Sequence, residues 1–154
     1  MVNSMKISRE IKEKIENIFK ELRIKYHEVD LKDDDLNYWI YINISGRFKA
    51  MDTIAGCLYL SSDNYQMCLL VANIYRFAEN EDVTPFYKIV NDANAYAHGT
   101  FAITGDQKQI IFRNTDYCGE DFSELSIEAV KIQINNFVCG LEKIFDAIKE
   151  QNND

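Results

Sequence analysis

The sequence predicts an α+β fold: one antiparallel sheet of five or six strands with three helices, in the order α-β-β-β-β-α-β-β-α. Three observations carry this reading. Apolar residues recur at spacings of three and four over residues 7–24 and again over 126–150. Between these stretches the apolar period falls to two, over most of 26–77 and 100–114. The strand-like runs are joined by short connections, which pairs neighbours antiparallel and excludes the alternating βα order of a nucleotide-binding sheet.

The first helix is expected over 7–24. Ile7, Ile11, Ile15, Ile18, Phe19 and Leu22 form one stripe, with acidic residues early and basic residues late, as the helix dipole favours. A short strand follows from Tyr26 to Leu31, then a polar turn at Lys32-Asp33-Asp34-Asp35. That turn lacks the spacing and the terminal glutamate of a calcium loop. Residues 37–45 alternate cleanly: Tyr38, Ile40, Ile42 and Ile44 face one way, Trp39, Tyr41, Asn43 and Ser45 the other. Ala55–Leu60 is the third strand, Ser61–Tyr65 a turn, and Gln66–Ile74 the fourth strand. Met67 to Ala72 is apolar on both faces, which suits a central strand. The second helix is expected from an N-cap at Thr84, with Pro85 at its first position, to a stop at His98-Gly99. Thr100–Thr104 and Gln107–Asn114 form a hairpin, with Gly105-Asp106 as a two-residue type II′ turn. The third helix starts at the Ser126 cap, with Leu125 and Val130 as a hydrophobic staple. Its stripe, Ile127, Val130, Ile134, Phe137, Leu141, Ile144 and Ile148, is broad, which favours packing on the sheet over a two-chain coiled coil.

The chain of 154 residues is expected to fold as one domain, 1–154. Its 47% hydrophobic and 27% charged residues exclude a disordered chain. No apolar run approaches the ~20 residues of a membrane span. Residues 1–24 lack the apolar segment of a secretory signal, so a cytoplasmic location is expected. The formal net charge is −8, with residues 26–154 carrying the excess of acid. Such a body repels phosphate backbones, so nucleic-acid partners are not expected.

Cys57, Cys68, Cys118 and Cys139 have no C-x-x-C spacing, and with only His27 and His98 no zinc template fits. Reduced, mostly packed thiols are expected. Cys118 lies between Asp116 and Glu120, which weakens it as a nucleophile. Asp116, Glu120, Asp121 and Glu124 form an acidic loop over 116–124 that could serve acid–base chemistry or hold a cation, or could be a solvated helix entrance. His98 suits a helix end, and His27 an exposed strand position. Asn91 and Asn94 are poor helix formers three residues apart, so they are expected to bond nearby backbone at the helix-to-strand turn. No nucleophile elbow, Walker loop or dinucleotide fingerprint occurs.

Trp39 and Tyr41 put large apolar groups on the second face of the sheet. Either residues 45–55 and the first helix cover that face, or it serves as a dimer interface or a partner surface. Ile132 and Cys139, seven apart on the outer side of the last helix, form a second small candidate contact.

The segment Ile89-Val90-Asn91-Asp92-Ala93-Asn94, followed by Gly99 to Ile103 and Ile110 to Arg113, resembles the centre of the YbjN family of bacterial sensory transduction regulators. The matching positions are Asn91, Asn94, Gly99, Phe101 and Arg113, and the flanking order of elements is similar too. A low leucine content around the motif and the longer acidic loop depart from the family pattern. The resemblance implies a type III secretion chaperone-like fold, often dimeric, with no enzymatic activity and no cofactor. The expected function is therefore a non-enzymatic, homodimeric protein-interaction module. The alternatives are an acidic inhibitor of a basic protein, and a ligand binder or enzyme using the 116–124 loop.

Overall fold

A computed structural model describes residues 7–29, 37–43, 55–95 and 100–153. The element order is α1 (Arg9–Glu21), β1 (Lys25–Val29), β2 (Asn37–Asn43), β3 (Ala55–Ser61), β4 (Gln66–Arg76), α2 (Thr84–Asn94), β5 (Thr100–Ile103), β6 (Gln109–Tyr117), a short 3-10 turn (Glu120–Phe122) and α3 (Ile127–Asn152). This is the α+β class and the element order read from the sequence. The strands form one six-stranded antiparallel sheet in the order β1-β2-β3-β4-β6-β5. The chain leaves β4, crosses through α2 to the far edge, lays down β5, and returns as β6 into the gap.

All three helices pack on one face of this sheet. Tyr38, Ile40 and Ile42 of β2, Leu58 and Leu60 of β3, and Met67, Leu69 and Val71 of β4 are buried there. α1 brings Ile15, Ile18 and Phe19 against β1 and β2. The Phe19 and Tyr26 rings lie 5.3 Å apart, and the Tyr38 hydroxyl donates to Glu16 at 3.1 Å. Burial, then the Glu16 carboxylate, raises the pKa of that phenol. α3 lays Phe137 against Phe101 and Phe112, with ring centroids 6.0 and 5.0 Å away. Its Gln133 is fully buried and donates through Nε2 to the Met67 carbonyl at 3.1 Å and to Asp116 at 2.8 Å.

The caps explain the boundaries. Ser8 accepts from the Ile11 amide to open α1, and Ser126 accepts from the Ala129 amide to open α3. For α2 the structure corrects the sequence reading. Thr84 is the first helical residue, and its amide donates to Asp82 Oδ1 at 3.0 Å. The carboxylate two residues before Thr84 thus supplies the acceptor. The β5–β6 turn differs as well. Positive φ falls on Gln107 at 57°, not on Gly105, and Thr104 pairs with Gln109 across a four-residue loop. Asp106 Oδ1 stabilises this loop by accepting from the Thr104 hydroxyl and the Lys108 amide. Gly119 opens the turn after β6 at φ 77°, where a Cβ would lie 2.5 Å from the Ser123 hydroxyl.

Candidate functional site

The period of two sorts each strand between two environments, and the register carries the sorting across the sheet. Trp39 pairs with Tyr59, Tyr41 with Cys57, Cys57 with Leu70, and Leu70 with Arg113. These residues therefore share the face opposite the helices. His27, Val29, Ala102 and Ile111 join them through their own pairings. Among the described residues no helix lies on this face. α1 is on the other side, so the alternative in which it helps to cover Trp39 and Tyr41 is corrected. Residues 44–54 lie outside the described residues.

The centre of the face is aromatic. The Trp39 and Tyr59 rings stack with centroids 4.3 Å apart. Tyr41, 43% exposed, lies 5.0 Å from the His27 ring. Tyr117, at the end of β6, is 62% exposed. The Arg113 guanidinium donates to the Tyr59 hydroxyl at 3.3 Å. Beneath this pair lies Cys68, in contact with both and fully buried. Contact with the Cys68 thiol, then burial, raises the Tyr59 phenol pKa. At the β5–β6 end, a shallow depression of about 390 Å³ is lined by Thr100, Ala102, Ile111, Arg113, Asn114 and Thr115.

The remaining candidates fall elsewhere. Ile132, 56% exposed, and the exposed Cys139 lie on the outer side of α3. α3 packs on the helix-covered face, so they do not join Trp39 and Tyr41. The 116–124 carboxylates do not converge. Asp116 bonds Gln133 inside the fold, whereas Asp121 bonds the Tyr65 hydroxyl outside it. Among the described residues no group of three or more His, Cys, Asp or Glu side chains could hold a metal ion. The Cys118 thiol is pushed up to about 11, first by burial and then by Asp116. Burial likewise raises Cys57. Neither is an activated nucleophile.

The family-motif positions divide by role. Asn94 makes a two-way bond with the backbone of Phe101, donating to its carbonyl at 2.9 Å and accepting its amide at 2.7 Å. This clamps the end of α2 to the start of β5, the job expected of both asparagines and observed for Asn94. Asn91 is exposed on α2. Phe101 is core, Arg113 belongs to the helix-free face, and Gly99 and His98 lie outside the described residues. Sequence reasoning missed Tyr59, Leu70 and Ile111 as partners of Trp39 and Tyr41. The signal was the alternation within β3 and β6, but only the strand register joins those runs.

The class defined so far is a two-layer α+β domain with helices on one side of a sheet and an aromatic surface on the other. No family model matches the chain, and neither a curated protein nor a solved structure matches it. No helix among the described residues is long and apolar enough to cross a membrane.

Proposed function

We propose that this chain is a non-enzymatic protein-interaction module, chaperone-like or regulatory, that takes its partner on the helix-free face of the sheet. The observation that carries this reading is the cluster of Trp39, Tyr41, Tyr59, Leu70 and Ile111 on a face that no helix among the described residues covers. Partly exposed aromatic side chains on a sheet face are typical of interface anchors. The resemblance to the YbjN family supports the same reading, as does the spread of the 116–124 carboxylates into separate structural roles. A bait carrying Trp39→Asp and Tyr41→Asp should lose a stoichiometric partner that the native bait captures. Equal capture by both baits places the partner elsewhere and overturns the assignment of this face.

Homodimer formation is a second part of the proposal, with the outer Ile132 and Cys139 strip of α3 as the contact between copies. Light scattering at tens of micromolar should return twice the chain mass, and Ile132→Asp should return the monomer. A competing reading has one observation in its favour. A groove of about 460 Å³ between α2 and α3 is lined by Asp92, Asp146 and Glu150, with Lys143 beside them. An inhibitor of a basic protein would use that side, and its partner would be released by salt.

A further inference from the structure

We propose that the helix-free face is shaped for an acidic polypeptide segment, one that carries carboxylates among apolar side chains. This rests on the reading above that the face binds protein, and it names the chemistry of the partner. The argument is the sorting of charge within the strands. The six strands contain three cations, Lys25, Arg76 and Arg113, and two carboxylates, Glu28 and Asp116. Register places all three cations on the helix-free face: Lys25 opposite Asn43, Arg76 opposite Gln109, Arg113 opposite Leu70. Both carboxylates point the other way. Glu28 meets Lys12 of α1 at 3.8 Å, and Asp116 accepts from Gln133 of α3. A chain of net charge −8 thus presents, from its strands, a surface with cations and no carboxylate.

Two of the cations flank the aromatic centre at its Tyr41 end. β1 and β6 are four strand spacings apart, about 19 Å; Arg113 lies in the row of Leu70, Cys57 and Tyr41, and Lys25 lies at the other edge, one row further along, opposite Asn43. Arg113 is oriented by its bond to Tyr59, and a guanidinium has five N–H donors in a fork suited to carboxylate. Leu70, Ile111 and the depression beside Arg113 supply apolar contact. Two other occupants fit less well. The same face of a second copy would set cations against cations. A single-stranded nucleic acid stacks on aromatics, but its uniform negative charge runs past the cations onto an acidic body.

Trp39 is the single tryptophan, so its fluorescence reports directly on this face. Three short peptides provide the probe, alternating Phe with Glu, Gln or Lys, beside an oligothymidylate of similar length. The Glu peptide should change Trp39 emission saturably, and high salt should weaken its binding. Arg113→Gln should weaken it about tenfold, while Lys131→Gln on α3 leaves it unchanged. Unchanged melting temperatures of both variants exclude misfolding as the cause. Equal binding of the Gln peptide, or tighter binding of the Lys peptide, overturns the charge assignment but leaves the face a protein-docking surface. Binding of the oligothymidylate alone overturns both readings. No response to any probe overturns the acidic-segment proposal, while the bait comparison decides the interaction reading separately.

Discussion

The two faces of the sheet are built from the same strands by alternate residues, yet they have opposite physical roles. On the covered face Ile40, Ile42, Leu58 and Leu60 are fully buried under α1 and α3. On the open face their immediate neighbours Trp39, Tyr41, Cys57 and Tyr59 are half-buried or exposed. Apolar area on the first face leaves water when the chain folds, so it contributes to stability at roughly 25 cal/mol per Å². Apolar area on the second face stays partly in water, and most of its free energy is released only when something else covers it. Charge follows the same division, with strand carboxylates toward the helices and strand cations away from them. One face thus holds the molecule together, and the other is the face we propose for recognition.

Substitutions on either face test this contrast. Phe137→Ala empties the centre of the Phe101, Phe112 and Phe137 cluster and should cost about 3–5 kcal/mol in urea unfolding. A loss below about 1 kcal/mol would mean that the helix layer is not the core. Asn94→Ala leaves both backbone groups of Phe101 without their side-chain partner and should cost about 1–3 kcal/mol. Faster hydrogen exchange at the Phe101 amide is the local sign of that loss.

Titration distinguishes the interior in another way. The folded Cys118 thiol ionises near 11, above its ordinary value of 9.0. The unfolded chain therefore releases this proton first, and stability falls as pH rises from about 9 to about 11. Cys118→Ala should flatten that part of the profile, and an unchanged slope would assign the fall to other groups. Ser126→Ala removes the acceptor for the Ala129 amide and should cost about 1 kcal/mol, read by thermal unfolding. The smallest effect belongs to the open face. Tyr41→Thr should change stability by no more than about 0.5 kcal/mol. A loss above about 2 kcal/mol there would show that this face, too, is part of the core.

Much of this was legible before folding, for reasons particular to each element. The broad stripe of α3 and the Ser126 cap are local signals, and the helix forms where they place it. β2 declares its two faces through strict alternation from Asn37 to Asn43. Asn94 was legible as a backbone clamp because asparagine competes with helical hydrogen bonding. Other features depend on contacts that local pattern does not encode. Thr84 looked like the cap of α2, but Asp82 reaches the terminal amide. Gly105 looked like the residue with positive φ, but the Asp106 side chain stabilises a longer loop and moves that conformation to Gln107. The acidic loop looked like a cluster until Asp116 and Asp121 turned to opposite environments.

The sequence by itself determined the α+β class, the order of elements and which residues of each strand share a face, because those follow from periods of 3.6 and two along a single segment. Only the tertiary structure decided that β6 enters between β4 and β5, that all three helices take one side, and that Arg113 meets Tyr59 across the sheet. Strand pairing joins residues far apart in the chain, and the choice among pairings rests on how whole apolar faces fit together. The second sheet face belongs to this second group, because it is defined by the side on which no helix among the described residues packs.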